Sequence, residues 1–157
     1  MDVTTVSEEQ VLAVYQQLLQ QWNKRNAAGM AGIFAANGTL IGFDGSQLNG
    51  QKEIYAVLDE IFGNFPTAAY VSIVKEVRML GPGSGMLLAV AGMVAQGHTD
   101  ISPAVNSVQT LVVTIEKDQP RVALFQNTPA AFHGRPELSE QLTADLRGVL
   151  AEMVKKD

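Results

Sequence analysis

Two side chains in this sequence are candidates for acid–base chemistry. Asp44 follows an apolar run that ends at Phe43, and His133 lies in the segment LFQNTPAAFHGRPE at 124–137. Carboxylates and imidazoles are common general acids and bases, and imidazole has an unperturbed pKa near neutrality. Asp44 and His133 are therefore the candidate catalytic residues. Asp44 also begins an Asp-Gly pair, which is common in turns, and a turn is the favoured interpretation.

A metal or nucleotide site has little support. His98 and Asp100 form an H-x-D pair, but the chain has only two histidines and no cysteine, whereas a zinc site needs three or four ligands. An exposed loop histidine is the favoured interpretation. The run GPGSG at 81–85 precedes a strand pattern and not a helix, so it predicts a hairpin turn instead of a phosphate loop. We expect no cofactor and no metal.

Composition argues against nucleic-acid and membrane partners. The net charge is −5 and the pI about 5.0, with no basic stripe to neutralise phosphates. The N-terminus MDVTTVSEEQ carries acids where a signal peptide has a basic region, and the longest apolar run, MLLAVAGMVA at 86–95, is half the ~20 residues of a membrane helix. The absence of cysteine fits a cytoplasmic protein.

The first half of the chain predicts helices with one strand. Ser7 opens a capping-box pattern, and the helix that it begins is expected to reach about Arg25. Asn26 predicts the cap of a shorter helix to about Ala36. A strand over 39–43 and a helix over 51–62 follow.

The second half predicts two hairpins and a terminal helix. Strands are expected over 67–80, 86–97, 107–117 and 121–128, and an amphipathic helix closes the chain from Leu138. Helices that precede antiparallel strands indicate an α+β class, with helices covering one face of a curved sheet. We expect one domain over 1–157.

Several side chains are candidates for a ligand pocket. Tyr15 and Trp22 share one helical stripe, which core packing would also explain. If Asp118-Gln119 is a two-residue loop, Gln109, Gln126 and Thr128 share one face at one end of the second hairpin. These amides could instead be satisfied within the sheet or across a dimer interface. A register slip of one residue would exchange the faces.

The order of elements resembles the nuclear transport factor 2-like superfamily, which includes ketosteroid isomerase, scytalone dehydratase and SnoaL-like polyketide cyclases. The segment QQWNKRNAAGMAGIFAANGTLIGFDGSQLNGQKEI is similar to that family's start. The closing LFQNTPAAFHGRPE is similar to the SgcJ/EcaC-like subgroup, which is associated with enediyne and other polyketide pathways. The resemblance implies a cone-shaped antiparallel sheet wrapped around N-terminal helices, an additional C-terminal helix, a deep apolar pocket, and a homodimer through the sheet.

The catalytic residues of the isomerase do not carry over. Gly42 stands where the isomerase has its proton-shuttling Asp, and Leu18 where it has its Tyr. We therefore expect a protein that binds a small, largely apolar molecule such as a polyketide intermediate, with or without turnover. The alternative is a non-catalytic homo-oligomeric association module with a vestigial pocket. The residues expected to line the pocket are Tyr15, Trp22, Phe43, Gln109, Gln126 and Phe132, the last as a plug at its polar end.

Overall fold

The computed structural model describes residues 5–156, so Asp157 and the first four residues, which belong to the argument against a signal peptide, lie outside it. Four α-helices and six strands make up the described chain, with a short 3-10 turn at Pro103–Val105. The helices are α1 Glu8–Asn23, α2 Ala27–Ala31, α3 Gln51–Asn64 and α4 Pro136–Lys156. The strands are β1 Phe34–Ile41, β2 Gln47–Asn49, β3 Ala69–Gly81, β4 Ser84–Val94, β5 Ser107–Glu116 and β6 Gln119–Pro129.

Helix α1 begins as its sequence predicts. The Ser7 hydroxyl accepts a hydrogen bond from the Gln10 amide at 3.2 Å, and the Gln10 side chain accepts one from the Ser7 amide at 2.8 Å. This reciprocal pair satisfies two backbone donors that the first helical turn leaves free. The apolar stripe of α1, which includes Tyr15 and Leu18, is buried against the sheet.

The second helix ends earlier than predicted. It stops at Ala31 instead of Ala36, and β1 begins at Phe34. Sheet pairing overrides the local helical pattern here, because β1 pairs in parallel with β6 and the Val122 amide donates to the Ile33 carbonyl at 3.0 Å. A Cβ atom at Gly38 would lie 2.5 Å from the Val122 carbonyl oxygen, so the two strands approach closely only because this residue is glycine.

The six strands form one sheet in the order β2-β1-β6-β5-β4-β3. All neighbours are antiparallel except β1 and β6. Helix α1 packs across the inner face of this sheet, and α4 packs on the outer face, chiefly against β3 and β4. The predicted α+β class, with a curved sheet, N-terminal helices and an additional C-terminal helix, is confirmed.

The predicted register of the second hairpin is wrong. Its turn is Lys117–Asp118, both with positive φ (50° and 65°), which is the twist that two-residue hairpin loops favour. This turn and a bulge after Val112 place Gln109 opposite Asn127 and Gln126 opposite Thr110. Since Gln109 is fully buried on the inner face, Gln126 lies on the outer face.

Candidate ligand-binding site

A cavity of about 450 Å³ lies between the inner face of the sheet and the helices. Its size falls within the usual range of small-molecule sites. Every helix except α4 contributes to its wall, and so do β1, β2, β3, β4, β5 and β6. The aliphatic part of the wall consists of Met30, Leu40, Leu48, Val57, Leu58, Ile61, Met93 and Val105. The cavity therefore offers a mainly apolar surface.

The turn between β1 and β2 forms the mouth of the cavity. Phe43, Asp44 and Ser46 line the cavity and are exposed, so the cavity meets solvent there. The Asp44 carboxylate accepts hydrogen bonds from the Ser46 amide at 2.9 Å and the Ser46 hydroxyl at 3.0 Å. These bonds lower the pKa of Asp44. Asp44 is thus a turn residue that also reaches the cavity, and at neutral pH it is a weak base.

Trp22 forms an aromatic wall. Its ring centroid lies 5.2 Å from that of Phe62 and 5.4 Å from that of Tyr70. The indole N–H donates to the Ala68 carbonyl at 2.8 Å, so its polar atom is already satisfied and the ring presents carbon to the cavity. The Tyr70 amide donates to the Asn23 side chain at 2.8 Å, which fixes β3 beside α1.

A chain of four polar side chains runs from the core to the cavity wall. The Tyr15 hydroxyl donates to Gln109 Oε1 at 2.5 Å, Gln109 Nε2 donates to Asn127 Oδ1 at 2.8 Å, and Asn127 Nδ2 donates to the Tyr70 hydroxyl at 2.8 Å. Tyr15 and Gln109 lie in the core behind the wall, whereas Asn127 and Tyr70 line the cavity. Burial raises the pKa of both tyrosines, so both hydroxyls are neutral at physiological pH.

The remaining predicted site residues lie elsewhere. Gln126 is on the outer face, so its prediction as a pocket residue is wrong for the register reason given above. Phe132, predicted to plug the pocket, instead packs half-buried against the cluster that α4 forms with Val71. Phe132 has a φ of 43°, and the Arg135 guanidinium lies 5.9 Å from the centroid of its ring. The segment before α4 therefore packs against α4 and not into the cavity. His133 is exposed and does not line the cavity.

The H-x-D pair does not act as a unit. Asp100 accepts two hydrogen bonds from Arg147 at 2.9 and 3.0 Å, and this contact lowers the pKa of Asp100, while His98 is exposed. Within residues 5–156 no group of three or more His, Asp or Glu side chains could hold a metal ion. No helix of that range is both long and apolar enough to cross a membrane.

Four polar residues of the cavity wall were not predicted: Ser46, Tyr70, Ser107 and Asn127. Asn127 reaches the inner face because of the bulge after Val112, which the sequence pattern did not indicate. Ser107 and Tyr70 carried no signal beyond their positions in predicted strands. Alternation does place Ser107 on the same face as Gln109, which would have linked it to the pocket.

Comparisons with known proteins agree on the fold. No protein-family model and no curated protein matches the chain. A domain of unknown function with a cystatin-like fold from Nostoc punctiforme is 24% identical, with a TM-score of 0.75 and 98% of both chains covered. A protein from Thiobacillus denitrificans, provisionally named as a calcium/calmodulin-dependent protein kinase type II association domain, is 17% identical, with a TM-score of 0.67 and 82% and 98% covered. A ketosteroid isomerase-like protein from Erwinia carotovora is 12% identical, with a TM-score of 0.60 and 78% and 95% covered.

These likenesses define the class of protein by its fold. The chain has the cone-shaped nuclear transport factor 2-like fold, in which a curved, unclosed sheet wraps around N-terminal helices. Other proteins of this fold are ketosteroid isomerase-like or association domains. At these identities, what this chain binds has to be argued from its own cavity.

Proposed function

We propose that this protein binds a small, largely apolar molecule in the cavity between its sheet and helices. The observation that carries the proposal is the cavity itself: about 450 Å³ of space, walled by aliphatic side chains and Trp22, reaching solvent beside Phe43 and Asp44. Trp22 and the leucines line this space and do not fill it. A vestigial pocket would be closed by those same side chains, because protein cores pack densely.

The finer form of the proposal concerns the ligand and its fate. The closing segment LFQNTPAAFHGRPE resembles the polyketide-associated subgroup, which favours a polyketide-derived ligand. The side chains favour binding over turnover, because Asp44 is the only ionised residue of the lining and its pKa is lowered. The proposed location is cytoplasmic, to which the absence of cysteine is suited.

A second function, self-association, is favoured by the outer face of the sheet. Helix α4 packs chiefly on β3 and β4, so Val112 and its cross-strand neighbour Leu124 keep partly exposed apolar side chains. The likeness to a provisionally named association domain points the same way. We propose a homodimer through this face, which leaves the cavity on the inner face accessible.

Cavity filling tests the binding function. Tetralin, a compact bicyclic hydrocarbon, is the probe, and binding is measured by isothermal titration and by the rise in Tm. Leu48→Trp inserts an indole into the cavity lining and is expected to weaken tetralin binding at least tenfold. Leu80→Trp makes the same change at a site 52% exposed and outside the cavity, and should leave binding intact. Equal affinity in both variants would place the probe elsewhere and contradict the proposal.

A further inference from the structure

Away from its mouth, the cavity has one polar corner, which is lined by Ser107, Tyr70 and Asn127. Ser107 is only 2% exposed, yet within residues 5–156 its Oγ has no hydrogen-bond partner. Burying a hydroxyl without a partner costs about 1–3 kcal/mol, and native proteins rarely retain such a group without a use for it. Ser107 is one of the residues that line the cavity, so a ligand bound there could supply the partner that the protein does not.

The direction of the buried hydrogen-bond chain points to the same corner. Each member donates to the next, from Tyr15 through Gln109 and Asn127 to Tyr70. Tyr70 is the last acceptor in this series of hydrogen bonds. Among residues 5–156, no described hydrogen bond has the Tyr70 hydroxyl as its donor. A tyrosine hydroxyl can accept and donate at once, so Tyr70 keeps a donor at the cavity wall.

The charge of the lining limits the chemistry of the ligand. Asp44, at the mouth, is the only ionisable acid or base among the lining residues apart from Tyr70. Burial raises the pKa of Tyr70, which keeps its proton. A carboxylate or ammonium group buried at the polar corner would have no counter-charge, and burying an unpaired charge is strongly unfavourable. The corner therefore suits a neutral group that accepts hydrogen bonds.

We infer that Ser107 and Tyr70 bind a neutral carbonyl oxygen of the ligand, so that the cavity takes apolar ketones or esters with the carbonyl directed at the sheet. This inference rests on the proposed binding function and names its ligand class. Asn127 and Gln109 act as positioning residues, since they hold the Tyr70 hydroxyl through the chain that begins at Tyr15. The contribution of Ser107 does not depend on the direction of that chain.

The test compares two probes of one shape, 1-tetralone and tetralin, which differ by a carbonyl. Ser107→Ala removes a hydroxyl without a protein partner, so the folded state should be retained and the variant is the cleanest probe. We expect it to weaken 1-tetralone binding about 3- to 10-fold, the worth of one hydrogen bond, and to leave tetralin binding unchanged. Tyr70→Phe should show the same selectivity.

Infrared spectroscopy gives a second readout. The carbonyl stretch of bound 1-tetralone should lie at lower wavenumber than in an apolar solvent, and Ser107→Ala should move it back. If Ser107→Ala weakens the binding of 1-tetralone and tetralin equally, or of neither, the carbonyl assignment is overturned. The proposed function would still stand in that case, because tetralin binds the wild type. Tighter binding of 1-naphthoate than of 1-tetralone would overturn the preference for a neutral group. If neither bicyclic probe binds the wild type, the proposed function fails and the inference with it.

Discussion

Gln109→Leu is expected to destabilise the protein markedly, although it replaces an amide by an apolar group of similar size. Gln109 is fully buried and joins Tyr15 at 2.5 Å to Asn127 at 2.8 Å. Leucine leaves the Tyr15 hydroxyl without its acceptor and Asn127 Oδ1 without its donor. At about 1–3 kcal/mol for each buried unpaired group, and allowing for the apolar gain of leucine, we expect a loss of about 3 kcal/mol in the free energy of unfolding.

The assay is urea unfolding at fixed protein concentration, followed by the fluorescence of Trp22, the only tryptophan. The Trp22 ring contacts the rings of Phe62 and Tyr70, so its emission should change when the packing on the inner face of the sheet is lost. For a chain of this length the change corresponds to a fall of roughly 6–12 °C in Tm. Gln126→Leu is the matched control, because the same substitution on the half-exposed outer face should change stability by less than about 0.5 kcal/mol.

A double-mutant cycle tests the reasoning itself. Tyr15→Phe removes the hydroxyl that Gln109→Leu would leave without its acceptor, so the double variant should be less destabilised than the sum of the two single variants, by about 1–2 kcal/mol. Additive effects within about 0.3 kcal/mol would show that the two groups are energetically independent, and the hydrogen-bond chain would lose its assigned role.

Three further predictions follow from the described contacts. Gly38→Ala should lower Tm, because the added Cβ would lie 2.5 Å from the Val122 carbonyl oxygen. Gly63→Ala lies in α3, where the added Cβ would have no atom within 4 Å, and it should raise the free energy of unfolding by about 0.5–1 kcal/mol. Scanning calorimetry of both variants tests this difference. Arg147 lowers the pKa of Asp100, so their contact stabilises the fold at pH values above the ordinary carboxyl pKa and loses its effect as pH falls through the lowered pKa. The Tm difference between wild type and Arg147→Met should therefore vanish in acid. A Tm difference that stays constant with pH would refute the pairing. Val112→Arg should convert the proposed dimer to a monomer in light scattering without loss of tetralin binding, and an unchanged mass would count against the interface.

The sequence predicted the helices and strands best where local chemistry decides them. The Ser7 capping box needs only neighbouring residues, and it formed as predicted. The end of α2 could not be read in the same way, because the residues after Ala31 are drawn into a strand by pairing with β6, far along the chain. A local pattern contains no information about such a partner.

The pocket shows the same division. Trp22 and Phe43 line the cavity, and whether they contact a ligand stays a prediction. Gln126 does not line the cavity, because the bulge after Val112 shifts the pairing by one residue and so exchanges the faces of the strand beyond it. Whether Gln109 contacts a ligand stays a prediction, and the structure places it one side chain behind Asn127.

The pairing of β1 with β6 has a consequence for synthesis of the chain. The paired residues of these strands lie 85–88 positions apart in the sequence, and β1 leads into the turn that forms the cavity mouth. The ribosome must therefore release the chain as far as β6 before β1 gains its neighbour on that side. The β3–β4 hairpin, in contrast, can close from adjacent residues. The ability to bind a ligand is then acquired late in synthesis. A nascent chain stalled before residue 119 would contain α1, α2, α3 and the β3–β4 hairpin, but its pocket would lack β6.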